Sequence, residues 1–113
     1  MSMKKIAAVA AAVVALGTSA AWAGDPVKGK EAFKVNGCFE CHGYEGQGAN
    51  TGPRLAPDPL PLDAMKSFVR NSSGPMPPFR EKILSDAALD DIHAYLASIP
   101  KTQDWKTIKL LQD

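Results

Sequence analysis

Apolar and polar residues recur at helical spacing in the last third of the chain. Four apolar positions, separated by three or four residues, form one stripe: Leu89, Ile92, Leu96 and Ile99. Residues at this spacing lie on one face of an α-helix. Ser85 is suited to cap the start of the segment, and Pro100 cannot continue it. The pattern therefore predicts a helix over residues 86–99.

Two further helices are predicted from the residues at their ends. Asp25 and Pro26 form a start signal, because aspartate caps free N–H groups and proline suits the first helical position. Gly37 supplies a stop signal shortly after residue 35. A shorter helix is predicted over residues 63–71, where the apolar residues fall on one side.

The segments between these helices are rich in glycine and proline. Residues 43–61 contain four glycines and four prolines, and residues 71–79 contain three prolines. This composition predicts irregular loops, and a loop as long as the first is commonly functional. We expect it to wrap a cofactor. The sequence shows no convincing strand pattern, repeat or second domain, so the predicted fold is small and all-α, with three main helices.

The first 23 residues have the layout of a secretory signal peptide. Two lysines precede a run of twelve apolar residues (6–17), and small residues flank a cleavage site between Ala23 and Gly24. A retained membrane anchor is the alternative, but a span takes about 20 apolar residues. We therefore expect cleavage of 1–23, a domain over 24–100 and a tail over 101–113. The mature protein is predicted to lie in the periplasm without stable membrane insertion.

The predicted mature chain is small and nearly neutral. Without the two lysines of the leader, eleven basic residues remain against twelve acidic ones, which leaves a formal charge of −1. Nucleic-acid binding is disfavoured, because it needs a concentrated basic face. A domain of this size buries little apolar surface and often needs a staple or a cofactor. A disulfide between two cysteines three positions apart would constrain very little of the chain.

Cys38, Cys41 and His42 form a Cys-x-x-Cys-His motif, which is typical of covalent attachment of haem c. The spacing lets two thiols reach two vinyl groups on one haem edge, and it places His42 beneath the iron as proximal ligand. A redox-active dithiol would need a βαβ context, and a structural zinc site would need four ligands. The motif therefore predicts one covalent haem c and its iron.

Met76 is the predicted second axial ligand. Its loop contains three prolines, whose fixed φ angles preorganise the backbone. Ligation by methionine and histidine raises the reduction potential, which suits an electron carrier. Met65 is predicted instead to fill the core, and His93 to lie at the surface or rim of the last helix. The predicted iron ligands are thus His42 and Met76.

Three more residues are predicted to surround the haem. The carbonyl of Pro53 is expected to accept the ring N–H of the proximal histidine and so fix its orientation. A simple turn proline is the alternative for this position. Arg54 and Arg70 are the predicted partners of the anionic haem propionates, with solvated surface charge as the alternative for each.

The mature chain resembles the single-haem class I cytochromes c. The matching residues are Gly29, Phe33, the haem motif, Gly52, Pro53, Leu55, Met76 with its prolines, Tyr95 and Leu96. The resemblance implies a class I cytochrome c fold around one haem, with contact among Gly29, Phe33 and Tyr95 where the first and last helices cross. It also implies the carbonyl role of Pro53. The tail lies outside the family pattern, and packing on the core is favoured over contact with a partner.

Three short stretches together are similar to a subset of small cytochromes that accept electrons from periplasmic dehydrogenases or are their subunits. They are Met76-Pro77-Pro78-Phe79, Leu84-Ser85-Asp86 and Ala94-Tyr95-Leu96. The expected function is accordingly one-electron transfer in the periplasm by a protein that is not itself an enzyme. Its expected partners are a dehydrogenase and a downstream oxidase or cytochrome. The alternatives are a peroxidase-like enzyme or sensor with an open sixth position, and a donor to a terminal oxidase.

Overall fold

The computed structural model describes residues 23–112, and its regular structure is helical. The elements in chain order are α1 (Pro26–Val35), α2 (Cys38–His42), α3 (Leu62–Asn71), α4 (Asp86–Ser98) and two 3₁₀ turns, Trp105–Thr107 and Lys109–Leu111. Within residues 23–112 the only bridge of β type is an isolated one between Ala49 and Gly52. The predicted all-α class is therefore confirmed. Over the same residues no helix has both the length and the apolar composition needed to cross a bilayer.

The predicted signal peptide lies outside the described residues, except for Ala23. The described chain enters α1 through Asp25, whose carboxylate accepts hydrogen bonds from the N–H groups of Val27 (2.9 Å) and Lys28 (3.3 Å). Pro26 occupies the first helical position. This start agrees with the prediction, because aspartate satisfies two N–H groups that the helix leaves without partners.

Helices α1 and α4 pack closely on each other. A Cβ on Gly29 would lie 1.8 Å from the carbonyl oxygen of Asp91, so only glycine permits this approach. The rings of Phe33 and Tyr95 lie 5.8 Å apart, centre to centre, with their planes tilted by 59°, a favourable arrangement for an aromatic pair. The predicted contact between the first and last helices is confirmed.

Helix α4 supplies half of the buried core cluster. The residues of this cluster are Phe33, Ala56, Val69, Leu84, Leu89, Ile92, Tyr95 and Leu96. Three of the four residues in the predicted stripe belong to it. Ile99 is only partly buried, because α4 ends at Ser98 and Ile99 becomes its C-cap.

Helix α3 is joined to α4 by two ion pairs. The ammonium nitrogen of Lys66 lies 2.6 Å from a carboxylate oxygen of Asp90. One turn further along, a guanidinium nitrogen of Arg70 lies 2.6 Å from a carboxylate oxygen of Asp86. Met65, on the same helix, is partly buried against the core cluster, as predicted.

The tail differs from its prediction. Among the described residues its two 3₁₀ turns contact each other but none of the helices. Trp105 is 59% exposed and Leu110 is 89% exposed, so the favoured expectation that the tail packs on the core is wrong. An exposed ion pair of 3.0 Å joins its first residue, Lys101, to Asp58 in the long loop.

Candidate haem site

The Cys-x-x-Cys-His motif folds into one helical turn, α2, which was not predicted as a helix. Gly37 and Gly43 flank it with φ angles of 74° and 80°, which residues with a side chain rarely adopt. These two glycines are the signal in the sequence that could have revealed the turn. Cys38 and Cys41 lie three residues apart on it and so share a side. Both are free thiols; Cys38 is partly buried against the core cluster, and Cys41 is exposed.

His42 ends this turn with a buried and oriented imidazole. The side chain is only 7% exposed, and its Nδ1 lies 2.8 Å from the carbonyl oxygen of Pro53. A carbonyl oxygen can only accept, so Nδ1 carries the proton and donates it. In the neutral imidazole, this tautomer leaves the lone pair on Nε2. An imidazole fixed in this way is ready to bind a metal through Nε2. The hydrogen bond predicted between these two residues is confirmed, and its role toward a haem stays a prediction.

The loop segment that supplies this carbonyl is held against α2. The Thr51 hydroxyl donates to the carbonyl of Cys41 at 3.1 Å, and the N–H of Gly48 donates to the carbonyl of His42 at 2.8 Å. A Cβ on Gly52 would lie 2.7 Å from the Cys41 carbonyl oxygen and 3.0 Å from His42 Nδ1. The close approach therefore requires glycine at this position. Thr51 was not predicted from the sequence, because a threonine in a glycine-rich loop belongs to no distinguishing pattern.

Two alternatives to haem find no support in this geometry. Burial raises the pKa of the Cys38 thiol to about 11, whereas redox-active dithiols work through a thiolate whose pKa is lowered. A structural zinc site would need four ligands. Across residues 23–112, no three side chains of histidine, cysteine, aspartate or glutamate stand close enough together to hold a metal ion.

Met76 lies in the loop between α3 and α4. Its side chain is partly buried against the same core cluster that Cys38 contacts. The backbone around it is fixed, because the Ser72 hydroxyl donates to the carbonyl of Pro77 at 3.0 Å. Its thioether is of the kind that serves as an axial ligand of haem iron. Ligation by Met76 stays a prediction.

The other side chains weighed as iron ligands are engaged elsewhere. His93 lies on α4, partly exposed, and its Nε2 donates to the carbonyl of Leu60 at 2.9 Å. This position agrees with the predicted rim location. Met65 packs against the core from α3.

The two arginines predicted to bind propionates have different surroundings. Arg54 is exposed and lines a shallow cavity of about 530 Å³ together with Lys101. Arg70 donates to the carbonyl of Phe79 at 2.8 Å as well as to the carboxylate of Asp86. Arg70 thus pairs with protein groups at the surface. A propionate role for either arginine stays a prediction.

The groups gathered at α2 fit haem c. Two thiols share one side of a helical turn, and a buried imidazole follows them with its Nε2 free to act as ligand. These are the groups through which haem c is attached and ligated. Gly52 adds room, since any side chain there would displace the imidazole that the site requires.

Comparison with known proteins agrees with this donor set. The family model described as cytochrome c oxidase, cbb3-type, subunit III matches residues 24–96. A cbb3-type cytochrome c oxidase subunit CcoP from Helicobacter pylori is 33% identical over 85 residues, covering 68% of this chain and 29% of the relative. The same subunit from Helicobacter pylori strain 52 is 32% identical with the same coverage. The chain thus spans under a third of the length of these curated relatives. No solved structure matches it significantly.

Proposed function

The chain belongs to the family of cytochrome c oxidase, cbb3-type, subunit III, and we propose that it is a His/Met-ligated one-electron carrier. Members of this family are c-type cytochromes, which hold haem c covalently. When bound, the haem supplies an iron that changes its charge by one electron. The chain's own residues attach it, orient its axial ligand and surround it with apolar side chains. Such an environment limits solvent access and helps to set the potential.

One observation supports this proposal above the others. A buried histidine, with Nδ1 bonded to the Pro53 carbonyl at 2.8 Å, directly follows two cysteines that share one side of a helical turn and form no disulfide. Cys38 and Cys41 are the proposed points of thioether attachment, and His42 is the proposed proximal ligand. The bond to the Pro53 carbonyl fixes the orientation of the ring, which suits the imidazole to hold iron through Nε2.

Met76 is the proposed second axial ligand, which makes the protein a carrier and not a catalyst. An iron held by both His42 and Met76 would have no open position for peroxide or a gas. The methionine is partly buried on a loop whose backbone is already held by hydrogen bonds. A thioether is a weak ligand, so a preordered loop supports its bond.

Replacement of Met76 by leucine tests this assignment, because it removes the sulfur and nearly conserves the volume. The ferric protein should lose its far-red sulfur-to-iron absorption band, and the ferrous protein should gain carbon monoxide binding. Met65→Leu is the matched control, since it makes the same chemical change on α3 and should leave both signals unaltered. A far-red band that persists in Met76→Leu would exclude Met76 as the ligand. An unsubstituted protein that already binds carbon monoxide would favour the enzyme or sensor alternative.

The redox partner is proposed on the oxidase side of a respiratory chain. The curated relatives are named as subunits of cbb3-type oxidases, whereas the dehydrogenase expected from the segment around Met76 finds no support among them. We place the domain in the periplasm, where haem c is attached, after removal of residues 1–23. Stopped-flow mixing of the ferrous protein with a purified cbb3-type oxidase should show saturable reoxidation. Fast reduction by a periplasmic dehydrogenase without that reoxidation would reverse this assignment.

A further inference from the structure

The loop over residues 72–79 connects α3 to the segment before α4, and its sequence gives it few backbone donors. Three of its eight residues are prolines, which have no N–H group. At the end of the loop the N–H of Phe79 donates to the carbonyl of Val69 on α3 at 2.9 Å. The prolines before it can be held only through their carbonyls or by packing.

Two side chains of the α3 region supply such bonds. The hydroxyl of Ser72, a residue that is only 8% exposed, donates to the carbonyl of Pro77 at 3.0 Å. Met76 is one of the residues between Ser72 and Pro77, the two that this bond joins. Nη1 of Arg70 donates to the carbonyl of Phe79 at 2.8 Å, at the end of the loop. The carbonyls on the C-terminal side of Met76 are thus held from two directions.

Arg70 is itself held by α4. Its Nη2 lies 2.6 Å from a carboxylate oxygen of Asp86, in the first turn of that helix. The planar guanidinium can bind both acceptors at once because its donors are arranged as a rigid fork. The arginine side chain is 21% exposed and the aspartate side chain 56%. One residue therefore links α3, the end of the Met76 loop and α4.

A second ion pair between the same helices provides a comparison. Lys66 and Asp90 lie 2.6 Å apart, as do Arg70 and Asp86. The lysine pair joins α3 to α4 without a bond to the loop, whereas the arginine pair includes the loop carbonyl. Any effect on Met76 should therefore follow the arginine pair alone.

From these contacts we propose that Arg70 and Ser72 are positioning residues for Met76, and that Asp86 holds Arg70 in place for this task. The inference rests on the proposed ligation of iron by Met76. A loop that is free to move loses freedom when its thioether binds, which weakens the bond. A loop already held at Pro77 and Phe79 loses less conformational freedom. The contacts of Arg70, Ser72 and Asp86, together called the arginine clamp, therefore favour the ligated state.

The experiment compares Arg70→Ala with Lys66→Ala in the full-length haem-containing protein. Loss of a charged hydrogen bond should raise the methionine-dissociated fraction about tenfold in Arg70→Ala. The readouts are a weaker far-red band in the ferric form and stronger carbon monoxide binding in the ferrous form. Lys66→Ala should keep both signals at the unsubstituted level. Arg70→Lys should recover little, because an ammonium lacks the fork that reaches both acceptors.

Two further variants keep the inference testable if Arg70→Ala folds poorly. Ser72→Ala removes the other anchor and should weaken the band in the same direction. Asp86→Asn keeps an oxygen acceptor for Arg70 and should disturb the band less than Asp86→Ala. Equal effects of Lys66→Ala and Arg70→Ala would overturn the inference, because they would reflect the general packing of α3 on α4.

The outcomes also separate this inference from the proposed function. If the unsubstituted protein lacks the far-red band, the proposed ligation itself fails. If that band is lost in Met76→Leu but is unaffected by Arg70→Ala and Ser72→Ala, only the clamp is excluded. A changed reduction potential in Arg70→Ala with an intact band would return Arg70 to its predicted role beside a propionate and overturn the inference.

Discussion

The two sides of the proposed haem site are held in different ways. On one side, His42 is buried, and its ring bonds to a backbone carbonyl in a loop that is itself tied to α2 by backbone and threonine bonds. On the other side, Met76 lies on a proline-rich loop that is anchored by the side chains of Ser72 and Arg70. The outer partner of that anchor, Asp86, is more than half exposed.

This difference matches the strengths of the two proposed ligands. The histidine directly follows the two proposed attachment points, so its position is fixed by neighbours in sequence. The thioether is weak and lies 34 residues further along the chain, so its position depends on how α3 packs against α4. We therefore expect substitutions around Met76 to change the strength of iron ligation more readily than substitutions around His42.

The largest effect is expected from removing both attachment points. Cys38→Ala combined with Cys41→Ala should leave a largely unfolded chain, because a domain of this size needs the haem to complete its core. Far-UV circular dichroism should show the loss of helix and of a cooperative thermal transition. Glu40→Gln, an exposed change between the two cysteines on α2, is the control and should fold normally. A cooperative haem-free fold of the double variant would contradict the prediction.

An intermediate effect is expected at Gly52, on the histidine side. Alanine there would bring a Cβ to 2.7 Å from the Cys41 carbonyl oxygen and 3.0 Å from His42 Nδ1. Forcing such an atom into a packed site costs about 1–3 kcal/mol of unfolding free energy. Urea unfolding of Gly52→Ala measures it.

The matched substitution on the methionine side is Gly74→Ala. No atom lies within 4 Å of a Cβ at Gly74, although its φ of 75° would strain an alanine. That strain is about 1 kcal/mol, so the loss should be the smaller of the two. Equal losses of unfolding free energy in Gly52→Ala and Gly74→Ala would show that the two sides are packed equally tightly, which would contradict the proposed difference between them.

The sequence predicted most of this fold because its signals are local. Capping by Asp25, the glycine stop and the stripe on α4 depend on neighbours within a few residues, and the structure agrees with each. The histidine side could likewise be predicted from the sequence, since the motif and the loop that holds it are close in sequence. The hydrogen bond from His42 to Pro53 follows from that proximity and from the need to orient a proximal imidazole.

The methionine side was predicted less completely, because its contacts are set by packing between helices. Nothing in the sequence pairs Arg70 with Asp86 and Phe79, which meet only when α3 lies against α4. The exposed tail was missed for a related reason. Apolar residues such as Trp105 favour burial in general, but burial needs a surface to receive them, and that surface is a property of the fold.

The smallest effect is expected from pH, and it separates the two ion pairs of α3. The hydrogen bond from Arg70 holds the pKa of Asp86 below its ordinary value of 3.8. The close contact with the carboxylate of Asp90 holds the pKa of Lys66 above its ordinary value of 10.5. A lowered carboxyl pKa stabilises the fold above 3.8, and the gain is lost as pH falls through the lowered value. A raised ammonium pKa stabilises it below 10.5, and the gain is lost as pH rises through the raised value.

Acid should therefore weaken the arginine clamp, while alkali should break only the lysine pair. The far-red band of the ferric protein should decline below pH 3.8 by a small extra amount that is absent in Asp86→Asn, where no carboxylate remains to be protonated. Lys66→Ala should change thermal stability near pH 11 less than near pH 7, because the unsubstituted lysine is then losing its charge. An acid decline that is identical in Asp86→Asn and the unsubstituted protein would show that Asp86 does not control the Met76 side.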